Sequence, residues 1–301
     1  MTGAAPGGPA GESMRGDPED PLEQRLGDLV REWPDLAGAA EVYRVTLPLL
    51  RNVGPIAAPI SLTGDQARRK LAEGEYLLRG VPLVFDHGGA RELMLCLARN
   101  LEKAGLAAVS PIRSALEGDL LVLEELLGHV SEGDYPSLAA RATEQTLDPH
   151  LLWTLAQSAL KPTFRDWCGK LSPLVHAAGE WEKPCCFICG APASLGELQG
   201  NEGAKHLRCG RCGADWLFRR LQCIYCDNED SSHLGILSPE GRRENVRVEV
   251  CDKCHGYLKV VTRFAPSSPE ELAVEDLSTL YLDCLAQERG YRRPPPRQEE
   301  P

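Results

Sequence analysis

Nine of the chain's twelve cysteines lie between Cys185 and Cys254, and eight of these nine form four Cys-x-x-Cys pairs. The pairs are Cys186/Cys189, Cys209/Cys212, Cys223/Cys226 and Cys251/Cys254. Two intervening residues let both sulfurs of a tight turn point at one ion, and two such turns complete a tetrahedron. The spacing therefore predicts two four-cysteine sites that hold two metal ions, with all eight of these cysteines as ligands.

The chain lengths between the pairs indicate which turns share an ion. Stretches of 19 and 24 residues follow the first and third pairs, and each is long enough for a β-hairpin, whereas only 10 residues join the second pair to the third. We therefore predict that the first pair joins the second and the third joins the fourth. A cross-braced pairing, first with third and second with fourth, stays open. Sulfur-only tetrahedral ligation suits zinc and also a single iron, so the metal is iron or zinc.

The residue after each pair supports metal-binding turns. This position often needs a positive φ angle, and its occupants are Gly190, Gly213, Asp227 and His255. Glycine takes that conformation freely, and Asp and His are enriched in it among other residues. A redox-active dithiol would be expected as one pair at the start of a helix, so four regularly spaced pairs favour metal ligation.

The remaining cysteines and the histidines near the pairs are assigned other roles. Three residues separate Cys185 from Cys189, whereas the Cys-x-x-Cys spacing requires two. Cys186 is therefore the expected ligand, and Cys185 is expected to be a thiol that does not bind the metal. With eight cysteines available, His206, His233 and His255 are expected to be surface or structural residues. The isolated Cys96, Cys168 and Cys284 lie on or near apolar helical faces, where a free cysteine behaves as a small hydrophobe. We expect these three in the core.

The hydrophobic pattern of the sequence, which predicts the elements that position these sites, changes at Pro184. Residues 21–183 repeat apolar side chains at three- and four-residue steps, which predicts an all-α domain. Residues 184–222 and 223–291 are predicted as the first and second four-cysteine modules, each zinc-ribbon-like, the second with a C-terminal helix. Residues 1–20 and 292–301 are polar and are expected to be disordered tails. The predicted fold class is α+β.

Local signals divide these regions into elements. Asp148 before Pro149 predicts a helix start, and a capping box at Ser268 predicts the start of one final helix that runs to Gly290. Strands are expected in the β-prone runs 246–250 and 257–264. Breakers that should separate the helices of the first half lie near residues 54–55, 82, 88–89, 111, 133 and 162.

Composition and charge exclude several classes of function. The net charge is −11, and residues 184–264 carry 11 Lys/Arg against 10 Asp/Glu, so no nucleic acid is expected as a partner. No stretch is apolar enough to span a membrane, and the first twenty residues lack the apolar core of a signal peptide, which predicts a cytoplasmic protein with no membrane partner. Neither a phosphate-binding glycine loop nor a hydrolase motif is present, so we expect no enzyme and no small-molecule substrate.

Four sequence runs resemble the formate dehydrogenase accessory proteins of the FdhE family. CCFICGAPAS is similar to the opening motif of that family, and HLRCGRCGADWLFRRLQCIYC to its most characteristic stretch, in which Trp216 and Arg220 occupy the Trp and Arg positions. CDKCHGYLKVV resembles the closing turn, and EDLSTLYLDCLAQERGY resembles the C-terminal helix. The resemblance extends over about residues 30 to 291.

This resemblance implies a non-enzymatic factor for the assembly of active formate dehydrogenase. Its members combine a helical domain with two rubredoxin-like modules, and iron has been associated with their cysteine sites. The implied partner is the catalytic subunit of formate dehydrogenase, bound in the cytoplasm. Trp216 and Arg220 are candidates for the partner-binding surface, and a structural role for both stays open. The alternatives are a nucleic-acid-binding zinc-ribbon protein and a rubredoxin-like electron carrier.

Overall fold

The computed structural model of the chain describes residues 20–175, 181–239, 243 and 245–293, and within them it has ten α-helices and six β-strands. The helices of the first half are α1 (Pro21–Glu32), α2 (Ala37–Arg51), α3 (Gly64–Ala72), α4 (His87–Lys103), α5 (Ser110–Glu117), α6 (Leu123–Glu132), α7 (Tyr135–Glu144) and α8 (Pro149–Leu171). The strands are β1 (Leu195–Gln199), β2 (Ala204–Arg208), β3 (Asp215–Leu217), β4 (Leu234–Leu237), β5 (Val246–Cys251) and β6 (Gly256–Arg263). Two helices follow, α9 (Pro269–Ser278) and α10 (Leu280–Glu288). The predicted α+β class is confirmed.

The long helix α8 forms the centre of the helical half. Asp148 caps its start by accepting a hydrogen bond from the backbone N–H of Leu151 at 3.0 Å, which confirms the helix start predicted there. Towards its other end, Phe164 and Trp167 are buried and make an edge-to-face contact. Such contacts bury large apolar areas, so α8 stabilises the packing of the shorter helices around it.

Pro162 does not end a helix, and the prediction of a break there is wrong. A proline inside a helix removes one backbone hydrogen bond and clashes with the preceding turn. Here Pro162 lies inside α8, between the buried Leu160 and Phe164. The neighbouring Thr163 is fully buried, and its hydroxyl accepts a hydrogen bond from the backbone N–H of Ile56 at 2.9 Å. Tertiary packing on both sides therefore outweighs the local cost of the proline.

The six strands form one sheet in the order β3-β2-β1-β6-β5-β4. Each half of the sheet is an antiparallel three-stranded unit, and the two units meet where β1 pairs with β6 in parallel, with Gly196 opposite Val260. In chain order, each unit repeats a Cys-x-x-Cys turn, two strands, a second such turn and a third strand. The two predicted modules are therefore joined edge to edge.

The capping box that was predicted at the start of the C-terminal helix is confirmed. Ser268 accepts a hydrogen bond from the N–H of Glu271, and the Glu271 carboxylate accepts one from the N–H of Ser268. The segment nevertheless forms two helices instead of the single one expected, because the chain leaves helical geometry at Thr279 (φ −112°). The Thr279 hydroxyl donates to the carbonyl of Glu275 at 2.7 Å, and such bonding competes with the helical pattern.

Two of the three isolated cysteines are exposed, so their prediction as core residues is wrong. Cys96 lies outside the buried face of α4, which carries Leu93, Leu97 and Leu101. Cys284 lies on the side of α10 opposite the buried Leu282. Cys168 on α8 is only half-buried.

The largest hydrophobic core crosses from the helices into the first four-cysteine module. It contains residues of α4, α6 and α8 together with Phe187, Ile188 and the four cysteines of the first two pairs. A smaller core joins β5 and β6 to α10, and a third joins α1 and α2 to α9. Among the helices of the described ranges, none combines the length and the apolar character needed to cross a membrane.

Candidate metal centres

The eight paired cysteines lie in two groups of four. Within each group all four sulfurs are within 4.8 Å of one another. The first group contains Cys186, Cys189, Cys209 and Cys212, and the second contains Cys223, Cys226, Cys251 and Cys254. The structure therefore brings the first pair to the second and the third pair to the fourth, and it does not have the cross-braced arrangement.

The distances between the sulfurs fit one tetrahedral ion in each group. A metal–sulfur bond of about 2.3 Å gives a tetrahedron with edges of about 3.8 Å. Three of the six sulfur–sulfur distances in the first group are 3.5 to 3.8 Å, two of the six in the second are 3.6 and 3.7 Å, and all lie within 4.8 Å. A disulfide would require about 2.05 Å. Either group could hold zinc or a single iron, because both accept four thiolates in this geometry.

The turns that carry these cysteines share one backbone plan. After the second cysteine of each pair, φ is positive as predicted, at +71° in Gly190, +82° in Gly213, +56° in Asp227 and +54° in His255. The amide after Cys189 donates to the carbonyl of Cys186 at 2.9 Å, and the second and third turns repeat this bond. Within three turns, a backbone N–H also points at a cysteine sulfur at 3.4 to 3.5 Å. Such donors stabilise a charged thiolate, so the local fold prepares the sulfurs for a cation.

Replacing Gly190 by alanine is expected to destabilise the chain more than the same change at Gly200. Both glycines have similar positive φ angles, +71° and +68°, so both substitutions carry the same backbone cost. A Cβ at Gly190 would lie 2.6 Å from the Tyr76 ring, whereas one at Gly200 would have no atom within 4 Å. We expect an additional loss of about 1–3 kcal/mol for Gly190→Ala, measured by urea unfolding. Equal losses would show that the contact with Tyr76 does not constrain the turn.

The two groups differ in exposure. In the first group, all four cysteines are buried, with at most 6% of the residue surface exposed. In the second group, Cys223 and Cys251 are buried, while Cys226 and Cys254 are half-buried. An ion in the first centre would be shielded from solvent and from exchange with other ligands, and one in the second would be more accessible.

Each group contains one cysteine that most readily becomes a thiolate. Hydrogen bonds from Cys186, Cys189 and Cys212 hold the pKa of Cys209 well below its usual range, while burial raises the pKa of Cys186 and that of Cys212. In the second group, burial opposes ionisation of Cys251, yet its pKa is lowered by backbone N–H donors from residues 253–254. Burial raises the pKa of Cys254 to about 11. Cys209 and Cys251 occupy the same place in the two modules, the first cysteine of the second turn.

The first centre is attached directly to the helical half. The backbone N–H groups of Leu77 and Leu78 donate to the carbonyls of Phe187 and Ile188 at 2.8 and 3.0 Å. From the second turn, the guanidinium of Arg211 donates to the carbonyl of Ser131 on α6 at 2.8 Å. Both turns that surround the first ion site are therefore connected to the helices by hydrogen bonds.

The two candidate partner-binding residues have different surroundings. Trp216 on β3 is 5% exposed, packs edge-to-face on Phe187, and donates its indole N–H to the carbonyl of Lys183 at 3.1 Å. Because the Trp216 side chain is buried, a structural role is favoured over partner binding for this residue. Arg220 is exposed, and its guanidinium lies 3.4 Å from the carbonyl of Glu202. Its role in partner binding stays a prediction.

The other predicted residues lie outside both groups of sulfurs. The carbonyl of Cys185 accepts a hydrogen bond from the Trp181 indole at 2.7 Å. His206 is hydrogen-bonded to Asp215, His233 lies 3.1 Å from Asp230, and His255 packs against the ring of Tyr291. These contacts give the three histidines structural partners.

One cysteine near the first centre was not predicted there. Cys168 of α8 lies 3.5 Å from the hydroxyl of Ser172, and a hydrogen bond with Cys212 lowers its pKa. A single cysteine in a helical stretch carries no spacing signal, so only the packing of α8 against the second turn reveals this neighbour.

Comparisons with known proteins agree with this architecture. Residues 221–297 match the family described as FdhE, C-terminal domain. An FdhE homolog of Stutzerimonas stutzeri is 29% identical over 194 residues, which are 64% of this chain and 58% of that protein. An FdhE homolog of Pseudomonas aeruginosa is 35% identical over 182 residues, 57% of this chain and 58% of that protein. The matched part of this chain thus spans less than two thirds of the length of these curated relatives.

The structural comparison covers more of the chain. The crystal structure of the FdhE protein from Pseudomonas aeruginosa superposes with a TM-score of 0.57 and 25% sequence identity. The superposition includes 90% of this chain and 91% of that one, so it spans both the helical half and the sheet with its two cysteine centres. The shared C-terminal domain, the sequence relatives and this fold make the chain similar to FdhE proteins.

Proposed function

We propose that this chain is a non-enzymatic accessory factor needed for the assembly of active formate dehydrogenase. It acts in the cytoplasm, where it binds the catalytic subunit of that enzyme. The observation that carries the proposal is the structural match to an FdhE protein over nine-tenths of both chains. In this role the chain binds neither nucleic acid nor a membrane, and it has no small-molecule substrate.

The form of the cysteine centres supports a role without catalysis. We propose that the eight paired cysteines hold two metal ions, iron or zinc. Structural sites of this kind use four protein ligands, whereas catalytic zinc sites keep one position open for water or substrate. With four sulfurs in each group, each ion would be fully ligated. The ions would then fix the turns against the helices and so maintain the surface that meets the client.

A deletion strain of the native host tests the function directly. Without the gene, we expect formate oxidation in cell extracts to be lost although the catalytic subunit is still synthesised. Plasmid-borne wild-type chain should restore the activity, and so should Cys96→Ser, which removes an exposed thiol outside both centres. Undiminished formate dehydrogenase activity in the deletion strain would refute the accessory role.

Physical association is tested by an anaerobic pull-down with the full chain as bait. We expect recovery of the catalytic subunit of formate dehydrogenase by the wild-type chain and by Cys96→Ser. Recovery of nucleic acid or of unrelated enzymes in its place would contradict the proposed partner.

The half-buried second centre favours one alternative, a rubredoxin-like electron carrier. Electron transfer needs access to the redox group, and Cys226 and Cys254 are partly open to solvent. A visible absorbance that bleaches reversibly with reductant would support this alternative. A colourless chain loaded with zinc would exclude it, because zinc has no redox chemistry.

A further inference from the structure

Two adjacent cavities lie along the boundary between the helical half and the first cysteine module. The larger is a cleft of about 1020 Å³, and the smaller has a volume of about 240 Å³. Five residues line both cavities, from α8 (Gln157, Phe164), the residue before β1 (Ser194) and the second turn (Gly210, Arg211). The smaller cavity, which we call the side chamber, therefore adjoins the cleft.

Two cations without a carboxylate partner line the side chamber. The Nζ of Lys161 of α8 lies 5.9 Å from the centre of the Tyr43 ring. Arg211 donates to the Ser131 carbonyl and lies 5.5 Å over the ring of Phe164. Across the ranges the structure describes, no Asp or Glu oxygen lies within 4.0 Å of either cationic group.

The acidic groups that line these cavities do not neutralise the two cations. Asp276 lines the side chamber, but it pairs with Lys259 at 2.7 Å and with Arg293 at 3.3 Å. Glu124 and Glu132 of α6 line the larger cleft only. Glu270 attracts Lys161 electrostatically, but its carboxylate pairs with Arg165 at 2.6 Å. Within the described residues, the side chamber thus presents two cations that no carboxylate contacts directly, in a chain whose net charge is −11.

Keeping an unpaired cation at this place has a cost in stability. Burial, with a further contribution from Arg165 and against the attraction of Glu270, lowers the pKa of Lys161 to about 8. At lower pH the folded chain must hold a charge that water would solvate better. Proteins keep a destabilising buried charge chiefly where the charged group binds a ligand. A negatively charged ligand that accepts hydrogen bonds from Lys161 would offset this loss of stability.

We propose that Lys161 and Arg211 bind a carboxylate of an acidic peptide segment of the client protein, which lies extended in the larger cleft. The inference rests on the proposed function, because the client supplies the segment. A guanidinium and an ammonium together offer a planar fork and a point charge, which suit a carboxylate. Residues 81–85 form an apolar part of the wall of the larger cleft, which Arg211 also lines, and Val84 there is 62% exposed. A free small anion would not use this apolar wall, whereas a peptide would.

The test measures binding of the purified catalytic subunit to the full chain and its variants. Lys161→Met and Arg211→Met are expected to weaken binding about ten-fold or more, because each removes a charge-assisted hydrogen bond. Two matched controls should bind as the wild type does. Lys170→Met removes an exposed lysine on the same helix, and Arg219→Met removes an exposed arginine in the same module. Since Arg211 adjoins Cys212, the metal content of that variant is measured as well.

Lys161→Met is expected to fold, so its binding result is interpretable. The folded pKa of Lys161 is below its ordinary value of 10.5, so the charge destabilises the folded state most below about pH 8. The variant should therefore melt at a higher temperature than the wild type at neutral pH. This difference should shrink as the pH rises from about 8 towards 10.5, where the lysine is neutral in both states.

A small probe separates failure of this site from failure of the proposed function. N-acetylglutamate amide should raise the melting temperature of the wild type and of Lys170→Met but not that of Lys161→Met, at matched ionic strength. If the subunit binds all variants equally, the peptide site is refuted and the accessory function stands. If the subunit binds none while the probe still depends on Lys161, the function is refuted and the carboxylate site stands. No dependence on Lys161 in either assay refutes the site.

Discussion

Changing both Cys209 and Cys212 to serine is expected to unfold the helical half of the chain together with the first cysteine module. The two substitutions remove half of the ligands of the first centre. Binding of a structural zinc ion contributes on the order of 10 kcal/mol in small metal-dependent domains, which is comparable with the whole stability of an ordinary domain. The loss should therefore exceed what local packing can offset.

The reason that the effect should spread is the continuous core. The four cysteines of the first centre belong to the same hydrophobic cluster as Leu97 of α4 and Trp167 of α8. Hydrogen bonds from Leu77 and Leu78 to the first turn cross the same boundary. When the turns lose their ion, these contacts have no fixed partner, and the helices lose one wall of their core.

A matched variant in the second centre shows whether the effect is specific. Cys226→Ser with Cys254→Ser also removes two ligands, but the cysteines of the second centre are not members of the core that contains α4 and α8. Hydrogen exchange should then show lost protection in β4 and β5, with slow exchange kept in α4 and α8. In the Cys209/Cys212 variant, exchange in α4 and α8 should become fast. Equal protection of these two helices in both variants would contradict the continuous-core account.

Glu275→Gln is expected to cost about 3 kcal/mol of unfolding free energy. The Glu275 carboxylate is 1% exposed. It forms ion pairs with Arg25 at 2.8 Å, Arg263 at 2.6 Å and Arg243 at 2.8 Å. A neutral amide leaves three guanidinium groups together without a counter-charge, and breaking a buried pair in this way costs about 3–5 kcal/mol. We expect the lower end, because the arginines are partly solvated.

The cost should appear first at the contact of α1 with α9, because Arg25 belongs to α1 and Glu275 to α9. Urea unfolding gives the total loss, and hydrogen exchange in α1 locates it. Glu288→Gln, an exposed change on α10, is the control and should stay within about 0.5 kcal/mol of the wild type. If Glu275→Gln is as mild as the control, the three ion pairs do not hold the N-terminal helix.

The features that sequence predicts best are those set by neighbouring residues. The positive φ of Gly190 follows from its place after a Cys-x-x-Cys pair, and the capping box at Ser268 needs only residues three apart. The pairing of the cysteines follows from loop lengths. Each of these features depends on a short piece of chain, so a single sequence contains all the information required.

Features that depend on distant packing could not be predicted in this way. Pro162 continues α8 because neighbours such as Ile56 stabilise that turn. The parallel pairing of β1 with β6 joins strands that are more than fifty residues apart, and no local pattern indicates it. Cys168 reaches the first centre, and Lys161 reaches the side chamber, only because α8 lies across the second turn.

The metal-to-protein ratio of the full chain, purified without oxygen and measured by elemental analysis, tests the central claim most directly. The wild type is expected to hold two iron or zinc ions per chain. The Cys209/Cys212 and Cys226/Cys254 serine variants are expected to hold one each, since each set of four sulfurs encloses one site. Well under one ion per wild-type chain, or a ratio that neither pair of substitutions lowers, would contradict the account.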